Sequence, residues 1–506
     1  MEYKMEYQQP SLSSFEKKHA LPTTFSEKIT PRIIIHGGAG NILPANLPPA
    51  KYKLYHDSLL RILSNTHYFL TSPSSFPLHK SSFSTTTALD AVTFAVTQLE
   101  DNPLFNSGHG AVFTRDGINE LEASIMVSSG KKKRGVGLMG LQHVKNPIKL
   151  AREMLIRGEQ DLEGGNGEHR GPMSVEEETF MKIHGAQGHS QLHKYSAEKL
   201  AKEWGLEIVD EKYFFVQARW DEHVSGLKKE REGKGDASWD ATEFIPQGTC
   251  GAVCLDADGV LCCGTSTGGM TNKLTGRIGD TPTLGAGFWA EEWDDTSEFH
   301  AARDDLNRLR RTMRNQGPII ELGNQLKGLM ADCFPGLNLR IYNPIGQEWL
   351  EEEDLRARSS SWKHSRSTAM SGTGNGDSFL RLAAVRSASA IARYRPNTSL
   401  QAAITEITGP GGELVKSAGD RWKKTGEGEG GIIGIELEVV VDKHGRKIDA
   451  VSHVVTDYNC GGMFRAEVNE EGKAVMRVWR PGQYDGLEIY KGEGREYDVA
   501  EWVDAK

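Results

Sequence analysis

The sequence predicts a mixed α+β fold on three observations. Short apolar strands and helical stretches occur in both halves of the chain, no repeat or heptad recurs, and no apolar run approaches the ~20 residues that span a bilayer. Residues 1–30 are polar and patternless and read as a disordered tail. Ile33-Ile34-Ile35 then forms a short buried strand that runs into His36-Gly37-Gly38-Ala39-Gly40. Residues 52–65 read as a helix, the Ser/Thr/Pro-rich patch 71–87 as a loop, and 88–99, apolar nearly all round, as a helix buried on several sides. Asn146-Pro147 opens a further helix, and Gly158 is expected to close it.

From Gly158 to Gly248 the chain is charged and glycine-rich, and reads as a mobile linker broken by one amphipathic helix near 196–204. Order resumes at Thr249. Apolar runs at 249–255 and 259–264 flank Asp256-Ala257-Asp258-Gly259, a hairpin signature. A polar insertion, about 293–368, carries one expected helix near 300–314. A helix over 378–394 and strands near 431–442 and 450–457 follow. The organisation expected is a tail, a first part over 31–248 ending in the linker at about 158–248, and a second part over 249–506.

Composition narrows the class. Across 506 residues the net charge is −9, 38% of residues are hydrophobic and 25% charged, an ordinary globular balance that gives no footing for nucleic acid as a partner. The basic run Lys131-Lys132-Lys133-Arg134 could serve as a nuclear address but reads better as a solvated loop. With no secretory h-region at the N-terminus and no zinc or disulfide spacing among the six cysteines, a reducing, cytoplasmic setting is expected, with buried thiols and no membrane.

Three clusters combine hydroxyls with glycines: Gly248-Thr249-Cys250-Gly251, then Thr265-Ser266-Thr267-Gly268-Gly269-Met270-Thr271-Asn272-Lys273 leading to Arg277 and Asp280, and Ser371-Gly372-Thr373-Gly374-Asn375-Gly376-Asp377. A hydroxyl is a poor nucleophile until a base takes its proton, and the α-amine of a chain-terminal threonine can be that base. A glycine before such a threonine tolerates the backbone geometry that chain cleavage needs. Gly248-Thr249, between a linker and a strand start, meets that demand.

The strings GTCGAVCLDADGVL, TSTGGMTNKLTGRIGD and SGTGNGDSFLR resemble, in order, the β-subunit signatures of the plant-type asparaginase/isoaspartyl-peptidase family. HGGAG, LEDNPLFNSGHGAVFTRDGINELEASIM and KNPIKLAR resemble its α-subunit signatures. The resemblance implies a four-layer αββα sandwich of the N-terminal-nucleophile hydrolase type. It also implies a precursor cleaved between Gly248 and Thr249, and a dimer of αβ units acting on a small amino acid or dipeptide. It makes Thr249 the nucleophile and Thr267, eighteen residues on, its hydrogen-bond partner. Arg277 would grip the substrate α-carboxylate, Asp280 and the Gly376 carbonyl its ammonium, and Thr373 and Gly374 would form the oxyanion hole. Asn106 matches an asparagine that supports the nucleophile. The loop from Leu99 to His109 resembles a sodium loop, with main-chain carbonyls of Leu99, Glu100, Asn102, Phe105, Ser107 and His109 around the ion; no organic cofactor is implied.

Other classes compete. Gly264-Thr265-Ser266-Thr267-Gly268 satisfies G-x-S-x-G, which would make Ser266 the nucleophile of a serine α/β-hydrolase. Leu274 to Gly279, however, is a poor helix former where that motif needs a helix. A threonine-aspartase endopeptidase shares the fold and nucleophile, while Asp280 and the MTNK string favour a free amino acid. A non-catalytic binding protein that never splits is the third class.

Overall fold

The computed structural model describes residues 28–72, 86–129, 135–162, 186–234, 238, 248–294, 363–442, 444–484 and 490–504. The expected loop at 71–87, the basic run and the helix near 300–314 lie wholly or mostly outside these residues, as does nearly all of the N-terminal tail. Ile29, assigned to that tail, is buried in the core.

The architecture is α+β. Strand β1 (Arg32–Gly40) precedes helices α1 (Pro49–Thr71) and α2 (Ala88–Glu100). Next come β2 (Leu121–Val127), β3 (Val136–Leu141), α3 (Pro147–Leu162), β4 (Gln191–His193), α4 (Lys194–Glu203) and α5 (Gln217–Arg231). The hairpin β5 (Cys250–Leu255) and β6 (Leu261–Thr267) follows, then β7 (Phe288–Asp294) and β8 (Lys363–Gly374). Four helices come next: α6 (Gly376–Leu382), α7 (Ala384–Tyr394), α8 (Leu400–Thr408) and α9 (Glu413–Ala418). Strands β9 (Gly430–Val441), β10 (Lys447–Tyr458), β11 (Gly462–Val468), β12 (Lys473–Arg477) and β13 (Glu496–Asp498) complete the described elements.

Two sheets result, ordered β13-β12-β11-β1-β5-β6-β2-β3-β4 and β10-β9-β8-β7. Period-2 alternation decides which core each side chain joins. Ile33 and Ile35, with Cys250, Ala252 and Cys254, face α1, α2 and α3. Ile34, Val253 and Leu255 point the other way, onto Phe288, Ala290, Ile433 and Ile435 of the four-stranded sheet. The far face of that sheet, with Met370 and Ile432, packs on Phe379, Val385, Leu400 and Ile404 of the later helices. Each fully buried isoleucine contributes roughly 1.5–3 kcal/mol. This explains why β5 and β6 are buried along their whole length: both faces are covered. The hairpin turn is fixed by Asp256, whose carboxylate accepts from Asp258 and Val260 N–H at one oxygen and from the N-terminal Ala88 of α2 at the other.

Three expectations need correction. The stretch from 186 to 234 is folded, not a linker: Ala186, Ala197, Leu200, Ala201 and Phe214 join the first core, and α5 lies within the stretch in addition to α4, the helix expected near 196–204. Charge-rich composition hid these few apolar anchors. Helix α3 does not stop at Gly158 but runs to Leu162, since one helical glycine costs only ~1 kcal/mol relative to alanine. The helix expected over 378–394 is two, broken at Ala383, which adopts a left-handed conformation (φ 44°).

Candidate active site

Thr249 sits immediately before β5 and is buried. Its register comes from the neighbouring strand pair: Cys250 faces Ser266, so Thr249 stands opposite Thr267 at the end of β6. The residue before it makes an unusually close approach. A Cβ on Gly248 would lie 2.3 Å from the Cα of Gly38 and 2.6 Å from the Ala39 nitrogen. Gly38 itself has φ +117° beside a register shift in β1. The two glycines therefore permit the expected cleavage site to lie against the HGGAG strand, and any side chain at 248 would push it away.

The same strand draws in the third cluster. Ala39 N–H donates to Thr373 Oγ1 at 3.2 Å, leaving the threonine O–H to point elsewhere. Gly374 follows with φ +144°, and a Cβ there would strike the Glu429 carbonyl at 2.3 Å, so only glycine fits. Asn375 then caps α6 by accepting from Ser378 N–H at 3.0 Å. Capping fixes where Gly376 stands.

Gly376 lies between the two expected substrate grips. A Cβ on it would be 2.6 Å from Asp280 Oδ1 and 2.8 Å from Arg277 Nη2. Asp280 is buried, its Oδ2 lacks a partner among the described residues, and burial raises its carboxyl to about 7, with Arg277 pulling the other way. Arg277 Nη2 is 3.2 Å from Asp377 Oδ2, near enough for charge pairing, yet it is not aligned for a hydrogen bond. An arginine and a carboxylate with unspent hydrogen-bonding capacity, flanking a gap held open by a glycine, suit a ligand bearing both charges.

The hydroxyl partner of Thr249 differs from the expectation. Thr249 Oγ1 meets Thr281 Oγ1 at 3.2 Å, whereas Thr267 Oγ1 accepts from Gly269 N–H at 3.0 Å. The reason is geometric: Thr281 directly follows Asp280, and the tight turn after β6 claims the Thr267 hydroxyl. Asn106 touches that turn rather than a substrate position. Its amide donates to the Gly269 carbonyl at 2.7 Å, its side-chain oxygen accepts from Val112 N–H, and its carbonyl accepts from Gly268 N–H.

Two residues went unnoticed in the sequence. Thr281 carried no motif beyond its place after Asp280. Glu122, inside the ELEASIM string, faces Thr267 across β2 and β6, and its carboxylate accepts from Gly279 N–H at 3.0 Å. Burial raises its pKa, and its second oxygen, without a partner among the described residues, faces Arg277 across Gly279: a Cβ there would lie 3.1 Å from it and 2.8 Å from Arg277 Nη1.

Two serines are excluded as nucleophiles by their surroundings. Ser266 lies inside β6, fully buried, and donates to Glu100 at 2.7 Å; no helix follows it. Ser371 and His36 form a buried 2.7 Å pair under Gly251, where burial lowers the histidine to about 3. A group so reluctant to take a proton is a poor base at neutral pH.

The matches to known proteins concern this assembly. The family model described as "Asparaginase" matches residues 29–169 and 179–294. The chain belongs to the asparaginase family of hydrolases. It is 34% identical over 258 residues to an isoaspartyl peptidase of Escherichia coli (strain K12), covering 51% of this chain and 67% of that one. It is 33% identical over 260 residues to a plant-type L-asparaginase of Pyrococcus abyssi, covering 51% and 70%. An isoaspartyl peptidase/L-asparaginase of Rattus norvegicus is 30% identical over 259 residues, covering 51% and 62%. The family match ends at Asp294, so Thr373, Gly374 and Gly376 are tied to this asparaginase-family site by their contacts with Ala39, Asp280 and Arg277.

The loop from Leu99 to His109 has a donor set that suits a hard, oxygen-seeking cation such as sodium. Gly108 and Gly110 let the chain pass close to main-chain oxygens of this loop: a Cβ on the first would lie 2.4 Å from the Glu100 carbonyl, and on the second 2.1 Å from the Phe105 carbonyl. Among the described residues no group of three His, Cys, Asp or Glu could hold a metal ion, and no helix is long and apolar enough to cross a membrane. The five described cysteines are buried free thiols, as expected.

Proposed function

We propose that this chain is a self-processing threonine amidohydrolase that cleaves the side-chain amide of L-asparagine and β-aspartyl dipeptides. The observation that carries the reading is the Arg277–Gly376–Asp280 gap, where a half-buried guanidinium and a buried carboxyl flank a space kept clear by a missing Cβ. A free α-carboxylate pairs with the guanidinium and a free α-ammonium with the carboxylate. An internal aspartate offers neither, and leaving the buried Asp280 carboxylate without a cation is costly. The isoaspartyl-peptidase and asparaginase names of the relatives agree with this choice.

In processing, Thr249 Oγ attacks the Gly248 carbonyl carbon, the Gly248–Thr249 C–N bond breaks as its nitrogen takes the Oγ proton and becomes the free amine, and water then hydrolyses the resulting ester to the Gly248 carboxylate and the Thr249 hydroxyl. In turnover that amine takes the Oγ proton as Oγ attacks the substrate's side-chain carbonyl, and the tetrahedral oxyanion is held by Thr373 and Gly374. Collapse expels ammonia or the amine of the downstream residue, which leaves with the proton. Water then releases aspartate from the ester. Removing one oxyanion donor costs on the order of 10²–10³ in rate.

The three hydrophobic layers support a four-layer αββα sandwich, with 31–248 and 249–506 as the two subunits of a processed enzyme that pairs into a dimer of αβ units in the cytoplasm. Sodium, held by main-chain carbonyls of Leu99, Glu100, Asn102, Phe105, Ser107 and His109, would stiffen the loop that carries Asn106.

The test is twofold. Mass spectrometry should find fragments 1–248 and 249–506, with Thr249→Ala remaining whole. Hydrolysis of L-asparagine, a β-aspartyl dipeptide and a blocked internal Asp peptide is then compared side by side. Turnover of the blocked peptide alone refutes the reading.

A further inference from the structure

Helix α5 belongs to the stretch whose composition reads as a linker, and it ends seventeen residues before Gly248. Its hydrophobic content is low, yet it carries two buried polar side chains aimed inward, Arg219 and His223. Burying a guanidinium costs several kcal/mol unless each donor is met. Here the donors are met by main chain. Arg219 Nε donates to the Gly110 carbonyl at 3.0 Å, Nη2 to the Leu104 carbonyl at 2.7 Å, and Nη1 to Glu222 one turn on. Tyr55 Oη donates to the same Leu104 carbonyl at 2.8 Å. The guanidinium thus pins both ends of the short loop that holds Asn106.

Asn106 in turn stitches residues 268 and 269 to the first part of the chain, and Gly269 N–H orients the Thr267 hydroxyl opposite Thr249. A second anchor runs parallel. His223 and Asn272 bond each other through side chain and backbone, and Asn272 lies in the same turn at φ +59°. Trp220 between them packs edge-on against Phe113 at 5.2 Å and closes over Gly117.

We propose that Arg219 is a positioning residue for the Thr249 chemistry: through the Leu104 and Gly110 carbonyls, α5 clamps the Asn106 loop and so holds the turn at 267–269 that stands opposite Thr249. The clamp acts on the reacting end of the site and leaves Arg277 and Asp280 untouched, so it governs kcat and self-cleavage rather than substrate affinity. This rests on Thr249 being the nucleophile.

The experiment uses the full chain carrying Arg219→Ala or Arg219→Lys. Self-cleavage is followed by mass spectrometry, and kcat and KM for L-asparagine are measured on the cleaved fraction. The expected result for Arg219→Ala is slower cleavage and a kcat lower by on the order of 10- to 100-fold, the scale of a small misplacement of reacting groups. KM should stay within about threefold of the parent. Millimolar guanidinium ion should restore part of the lost kcat in Arg219→Ala and do nothing for the parent. Amide exchange should quicken in 104–112 and 268–272 while β9 and β10 stay unchanged. Should Arg219→Ala not fold, the exchange pattern and kcat of Arg219→Lys carry the test. An unchanged kcat and cleavage rate overturns the proposal. So does a KM rise in step with the kcat loss and unrelieved by guanidinium, or exchange accelerated uniformly across the chain. If the parent itself turns over no asparagine, the substrate reading has failed, and the cleavage rate still decides the role of Arg219.

Discussion

Asp280→Asn is the most informative single change at this site, because the carboxyl's burial sets both a stability and a binding consequence. Asp280 is 4% exposed, and its carboxyl rises from an ordinary 3.8 to about 7, chiefly through burial. A shift of roughly three units corresponds to about 4 kcal/mol between the two protonation states. The folded-state pKa is the higher one, so the folded protein holds the proton longer than the unfolded chain does. The associated stability is complete below about pH 4 and is lost as pH rises through about 7. Asparagine at 280 keeps the shape and removes the titration. Without substrate, the variant should therefore be more stable than the parent by up to about 4 kcal/mol at pH 8, with the difference fading towards pH 4. Substrate binding runs the other way. The ammonium needs an ionised Asp280, so kcat/KM of the parent should fall about tenfold per pH unit below pH 7. In the variant KM should rise on the order of 10²–10³-fold, as for a buried pair left with one partner. Denaturant titrations at pH 5 and 8, with asparagine hydrolysis over the same range, give the answer. Equal stability differences at both pH values, or a KM within a few-fold of the parent, would refute the account of a buried acid awaiting a cation.

Gly376→Ala places a methyl 2.6 Å from Asp280 Oδ1 and 2.8 Å from Arg277 Nη2, so KM for asparagine should rise at least about tenfold. Self-cleavage, which uses no free amino acid, should proceed; mass spectrometry and steady-state kinetics separate the two. Thr281→Ala removes the hydroxyl 3.2 Å from Thr249 Oγ1 and should slow self-cleavage on the order of tenfold, with Thr281→Ser restoring most of the rate. A time course of fragment formation reads both variants, and equal rates for alanine and serine would assign the threonine a packing role.

Much of the site was legible because it depends on local chemistry. Glycine beside a threonine, hydroxyls interleaved with glycines from Ser371 to Gly376, and an arginine three residues before an aspartate are short-range patterns with short-range physical causes. The hairpin over 249–264 was equally plain, since its turn is built by Asp256 alone. What the sequence hid is long-range. Strand β11 lies beside β1 although more than 400 residues separate them, and nothing in either segment names its partner. The stretch from 186 to 234 resembled a linker because 18 of its 49 residues are charged; its attachment rests on a handful of apolar side chains and on Arg219. The exchange of Thr267 for Thr281 as the hydroxyl partner has the same origin. Register places Thr267 correctly opposite the nucleophile, and only the turn at Gly269, held by Asn106, decides where its hydroxyl points.

That last point constrains which substitutions can be interpreted. Asp280 and Thr281 are adjacent, so the proposed ammonium grip and the hydroxyl that meets Thr249 Oγ1 stand on neighbouring residues. The Asp280 carbonyl also accepts from the N–H groups of Thr283 and Gly287, which fixes the turn on which both side chains stand. A truncation such as Asp280→Ala opens a cavity in that turn and can move Thr281, mixing a binding defect with a chemical one. The isosteric asparagine keeps the turn filled and changes only charge. If the ammonium grip and the nucleophile are coupled solely through this turn, Asp280→Asn must alter KM and spare self-cleavage, while Asp280→Ala must slow both. Comparing the two at one position therefore separates what the charge does from what the backbone does, which neither variant can show alone.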